Sequence, residues 1–81
     1  MEKRIGSILV LIEDKSSISK VNSIISQHAD IIIARQGLPV SNREISLISI
    51  VLEGDTDMIG SLSGQLGRIN GIRVKSLVMK Q

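Results

Sequence analysis

The sequence carries one hydrophobic signature twice, and that repetition narrows the fold more than any other feature. Ile18, Val21, Ile25 and His28 recur at spacings of three, four and three, with Ile24 beside them; Ile59, Leu62, Leu66 and Ile69 recur at the same spacings. Each set lies on one face of a helix. Each is preceded by an aliphatic, β-branched run, Ile5 to Ile12 and Ile45 to Leu52, and then by an acidic break. The first break, Glu13-Asp14-Lys15-Ser16-Ser17, offers Ser16 or Ser17 as a cap that accepts a hydrogen bond from a free helix amide. The second, Gly54-Asp55-Thr56-Asp57, puts acid where a helix start is electropositive. Asp30 closes the first helix, and Ile31-Ile32-Ile33-Ala34 opens a second strand. Gly37-Leu38-Pro39-Val40-Ser41-Asn42 reads as a turn region, with Pro39 at a strand end or edge because it has no N–H for a ladder. Asn70-Gly71 is a helix terminator that tolerates positive φ, and Ile72, Val74, Ser76 and Val78 then alternate with Arg73 and Lys75 in a last strand.

The order is β-α-β-β-α-β over residues 1–81, read as a single domain. Right-handed crossovers turn that order into an α+β fold, the ferredoxin-like split βαβ sandwich. The expected antiparallel sheet has order 4-1-3-2, with both helices on one face and the first and third strands central.

Those two central strands break the usual rule. A sheet covered on one face alternates apolar and polar residues. Here Ile8, Val10 and Ile12 occupy one parity of the first strand, and Leu9 and Leu11 the other. The third strand sets Ile48, Ile50 and Leu52 against Leu47 and Val51, relieved only by Ser46 and Ser49. Leaving Leu9, Leu11, Leu47 and Val51 in water forfeits roughly 1.5–3 kcal/mol each, and a chain this small has little margin. A second copy is the expected cover, giving a dimer or a tetramer built from dimers.

Composition removes whole classes of function. With no Cys there is no disulfide framework, iron–sulfur cluster, thiolate zinc site or catalytic thiol. With no Phe, Tyr or Trp there is no platform on which bases stack. Ten basic residues balance eight acidic ones and lie scattered, so direct nucleic-acid binding is not expected. The apolar runs Ile8 to Ile12 and Ile31 to Ala34 are far shorter than the roughly 20 residues of a membrane span. The first apolar stretch ends in Glu13-Asp14-Lys15 rather than a small-residue cleavage site, so no signal peptide is expected and the cytoplasm is the expected location.

Catalytic patterns are equally sparse. No serine sits in a nucleophile-elbow pattern, and His28 is the only imidazole, too few ligands for a zinc site without carboxylates or a second subunit. A packed or dipole-complementing histidine is the simpler reading of His28. No metal, cofactor or enzymatic activity is expected. Gly60, Gly64 and Gly67 face away from Ile59, Leu62 and Leu66 at about 1 kcal/mol each against Ala; close approach of another backbone and plain solvent exposure explain them equally. The charges should gather at the two ends of the sheet, Glu13, Asp14, Lys15, Arg43, Glu44, Arg68 and Arg73 at one end, Lys3, Arg4, Asp30, Glu53, Asp55, Asp57 and Lys80 at the other. Mixed signs at each end point to weak mutual pairing.

Leu52-Glu53-Gly54-Asp55, the helix Met58 to Ile69, and Asn70 through Val78 resemble the closing half of the C-terminal domain of the nickel-responsive regulator, one of the ACT-like regulatory modules. Ser26-Gln27-His28, followed by Asp30 and a strand, extends the similarity into the first half. Over nearly the whole chain the sequence is similar to a short, stand-alone family named for regulation of iron-only hydrogenase systems. Nickel regulators share three His and one Cys between subunits; here only His28 falls at such a position, while Leu38, Pro39, Val40, Ser41 and Ser46 stand where the others should be. A square-planar metal site is therefore not implied. The sequence opens directly on the first strand, so a DNA-binding ribbon-helix-helix arm is not expected. ACT modules that bind amino acids carry Asp-x-x-Gly at the first strand–helix junction, and Asp14-Lys15-Ser16-Ser17 keeps the Asp without the Gly.

The resemblance implies a small, non-enzymatic regulatory module that takes a small effector at a subunit interface and engages a protein partner, and the apolar pattern of the central strands gives its self-association through Leu9, Leu11, Leu47 and Val51. Asp14, Ser16 and Ser17 are the expected effector contacts: ACT modules bind there, and carboxylate, hydroxyls and free helix amides give hydrogen bonds of both polarities. The second reading is a metal-responsive sensor using His28 with interface carboxylates such as Asp30. An acylphosphatase-like enzyme on the same fold is disfavoured because Glu13-Asp14-Lys15 would repel a phosphate.

Overall fold

The computed structural model describes residues 2–40 and 45–79. Strand β1 spans Arg4–Ile12, helix α1 Ile18–Gln27, β2 Ile32–Pro39, β3 Ser46–Gly54, α2 Thr56–Gly67 and β4 Ile72–Val78. Single turns of 3-10 helix, Lys15–Ser17 and Ala29–Ile31, lead into and out of α1. The strands form one antiparallel sheet of order β2-β3-β1-β4, which is the expected 4-1-3-2 read from the other edge.

Alternation builds the core. Ile8, Val10 and Ile12 of β1 and Ile48, Ile50 and Leu52 of β3 are buried with Val21 and Ile25 of α1 and Ile59, Leu62 and Leu66 of α2. Ile18, Ile24, Ile69, Ile72, Val74 and Val78 pack around that cluster. Ile69 lies past the end of α2, so the predicted stripe outlasts its helix by one contact. Both helices thus cover the face of the sheet that carries the even-numbered residues of β1.

The element ends differ from the sequence reading in ways that matter for the site. Neither serine caps α1. Ser17 makes no capping bond, and Asp14 instead caps the 3-10 turn, its Oδ1 accepting from Ser16 N–H at 2.9 Å. The turn inserts three residues between acid and helix, so the acid takes the cap. Ile31 is not a strand residue: it is buried in the 3-10 turn, and β2 starts at Ile32. Gly37, Leu38 and Pro39, read as turn, belong to β2, where Pro39 is the last residue of an edge strand. Of that turn region, Ser41 and Asn42 lie outside the described residues, as do the charges Arg43, Glu44 and Lys80. Asp55 caps α2 as expected, accepting from Met58 N–H at 2.8 Å, and Gly71 has φ 78°.

Candidate functional site

Cross-strand partners share a face, so the register shows what the helices leave uncovered. One row reads Leu38, Leu47, Leu11, Arg73 across β2, β3, β1 and β4. The next reads Gln36, Ser49, Leu9, Lys75, and the third Ala34, Val51, Ser7, Leu77. Leu9, Leu11, Leu47 and Val51 are therefore on one face, opposite the helices, as their parity predicts. Leu9 is 47% exposed and Val51 39%, while Leu11 and Leu47 are half-buried by their neighbours.

The register adds three members to this face that the sequence reading missed: Ile5, 39% exposed and opposite Glu53, Leu38 and Leu77. Leu38, 48% exposed, reaches it through a bulge: Ile32 pairs with Leu52 on the helix side, Ala34 with Val51 on the open side, and Ile33 is the extra residue. The bulge inverts the parity of the rest of β2. Arg35 consequently points to the helices, where its Nη2 donates to Asn22 Oδ1 of α1 at 2.8 Å. Leu77, 64% exposed, shares its parity with Arg73 and Lys75 and is readable from the alternation of β4.

Asp14, Ser16 and Ser17 stand together at the β1–α1 junction, each with polar atoms already paired within the chain. Ser16 Oγ donates to Asp14 Oδ1 at 2.7 Å, and Ser17, buried, donates through Oγ to the carbonyl of Asn70 at 2.8 Å. The Ser16 hydroxyl, and then its N–H, hold the Asp14 carboxyl below its ordinary pKa. Gly71 sits directly against this turn: its carbonyl accepts from Glu13 N–H at 2.8 Å. A ligand at this junction is left with Asp14 Oδ2 and the lone pairs of Ser16.

His28 follows the end of α1. Its Nδ1 lies 2.8 Å from the carbonyl of Ile24, which can only accept, so Nδ1 donates there and Nε2 has no hydrogen-bond partner among the described residues. A shallow cleft of about 380 Å³ between the end of α1 and the start of α2 is lined by His28, Asp30 and Asp57, with Gln27, Ile31, Met58 and Ser61. Among the described residues no three His, Cys, Asp or Glu side chains gather closely enough to hold a metal ion. No helix is long and apolar enough to cross a membrane among those residues.

Comparison with known proteins agrees with this architecture. The family described as "TM1266-like: Iron-only hydrogenase system regulator, putative" matches residues 4–76. The structure is similar to that of the uncharacterized protein TM1266 from Thermotoga maritima, with 35% identity, 98% of this chain and 100% of that chain covered, and a TM-score of 0.92. The C-terminal domain of the MgtC protein from Mycobacterium tuberculosis shares the fold at 16% identity and a TM-score of 0.69, over 94% of this chain and 87% of that one. An ACT domain protein from Streptococcus pneumoniae does so at 17% identity and 0.63, over 93% and 89%. No curated protein gives a significant match.

Proposed function

The chain belongs to the TM1266-like family of iron-only hydrogenase system regulators, and on that footing we propose that it acts as a small non-enzymatic regulatory module assembled through the open face of its sheet. One observation carries the reading: Leu9, Leu11, Leu38, Leu47, Val51 and Leu77 lie together on a face that no helix covers. Contiguous apolar patches of this kind mark interaction sites on soluble chains. A second copy brings the same patch, which is the self-complementary surface a two-fold dimer requires. Dimers can pair further into tetramers.

In this reading the assembly takes a small effector at a subunit interface and passes the signal to a protein partner of the hydrogenase system. Asp14 Oδ2 and Ser16 are the contacts available at the β1–α1 junction, with Ser17 behind them holding α1 to the α2–β4 turn. The ACT-domain likeness, at 17% identity, speaks for the fold alone. The metal-sensor reading is not favoured, because His28 would need most of its ligands from another subunit.

Leu47→Lys tests the assembly. It places an ammonium group in the leucine row, in the cleft that already holds Arg73 and Lys75 and no acid, where a covering copy would bury it unpaired. The expected result by light scattering is a shift toward monomer with the circular dichroism of the fold retained. An unchanged multimer would remove the sheet face as the interface.

A further inference from the structure

We propose that the leucine end of the open face binds a singly charged organic anion with a short branched aliphatic tail, a carboxylate closed in by the second copy of the chain. The inference rests on the assembly reading above and adds the ligand's chemistry and a place for it away from the Asp14 junction. A shallow cleft of about 260 Å³ is lined by Leu9, Leu11, Leu47, Arg73 and Lys75, three aliphatic side chains beside two cations and no acid. Arg73 is committed within the chain, its Nε lying 3.1 Å from Glu13 Oε1. Lys75 forms no ion pair among the described residues.

Among the described residues no acid is left to neutralise Lys75, Glu13 being paired with Arg73. Glu53 is the one acid that the register puts on this face among the described strand residues, opposite Ile5, whereas Lys75 stands opposite Leu9. Four residues of strand separate those rows by about 13 Å. Nor would a second copy supply the charge if the two sheets pack face to face, strands roughly aligned, about a two-fold axis through the middle of the sheet. An axis along the strands would lay Lys75 over the partner's Gln36, and one across them would lay it near the partner's Leu77. Covering an ammonium group without a counter-charge is unfavourable. A carboxylate restores the balance with a charge-assisted hydrogen bond, and the three leucines take the tail, which is the mix of apolar wall and few polar anchors that small-molecule sites show. One uncommitted ammonium group matches one negative charge, which favours a carboxylate over a dianionic phosphate.

The test uses the full chain with labelled leucine methyls, titrated with 4-methylpentanoate, with acetate (the charge alone) and with 4-methylpentan-1-ol (the tail alone), while light scattering reads the mass of the same samples. Saturable shifts at Leu9, Leu11 and Leu47 with 4-methylpentanoate are expected, and roughly tenfold or weaker binding of the two controls. Lys75→Gln should weaken binding about tenfold or more without changing the mass. A multimer whose leucine methyls stay still, or respond equally to the alcohol, overturns the anion site and leaves the assembly standing, as does full binding in Lys75→Gln. A monomer at every concentration overturns both.

Discussion

Gly71→Ala forces a new methyl carbon to 2.5 Å from Asp14 Cβ, far inside van der Waals contact. The backbone there has φ +78°, a left-handed conformation that costs an alanine about 1–2 kcal/mol. Neither side of the contact can give easily. Glu13 N–H is bonded to the Gly71 carbonyl at 2.8 Å and Ser17 Oγ to the Asn70 carbonyl at 2.8 Å, so moving Asp14 away stretches the bonds that hold the β1–α1 junction to the α2–β4 turn. Losing one such bond adds roughly 1 kcal/mol, while the stiffer unfolded chain returns about 0.4–1 kcal/mol. The expected net loss is roughly 1–2.5 kcal/mol, a large share of the stability of a chain this short. Urea unfolding at one fixed protein concentration measures it, since assembly makes apparent stability depend on concentration. Asp14→Gly removes the clashing carbon, so the penalty of Gly71→Ala should shrink toward its left-handed part alone in that background. A Gly71→Ala loss below about 0.5 kcal/mol, the range of an ordinary surface change, would refute the clasp, and so would an equal loss in both backgrounds.

Gly60→Ala and Gly64→Ala should each raise stability by about 1 kcal/mol in the same unfolding assay, because a Cβ at either position meets nothing within 4 Å; a loss would show that something packs on that stripe. Asp14 has its pKa depressed in the folded chain, so its contribution is complete above the ordinary aspartate value of 3.8 and disappears as pH falls through the lowered one. Asp14→Asn should therefore lower stability at neutral pH and flatten the acid limb of the stability curve; a limb of unchanged slope would contradict the Ser16 hydrogen bonds as its cause.

Periodicity made most of this fold legible. The two helix stripes and the alternation of β1, β3 and β4 follow from spacing alone, and strand parity by itself puts Leu9, Leu11, Leu47 and Val51 together on the face opposite the helices. What spacing cannot carry is a change of register or a contact between distant residues. The bulge at Ile33 inverts β2 and brings Leu38 to the open face, but Gly37 and Pro39 around it read as turn. Asp14, Ser16 and Ser17 all suit a cap chemically, and the 3-10 turn that selects Asp14 is one turn too short to leave a periodic trace. The bond from Ser17 to Asn70 spans 53 residues, which turns an apparent capping serine into a tie between the two halves of the chain.

The central claim is that the open face of the sheet is covered in solution, and a soluble paramagnetic agent applied to the methyl NMR spectrum tests it most directly. Leu9 on that face and Met58 on the start of α2 are almost equally exposed in the single chain, at 47% and 43%. The account predicts that the agent broadens Met58 and leaves Leu9 as sharp as buried Ile8. Leu9 broadened as strongly as Met58 would contradict it.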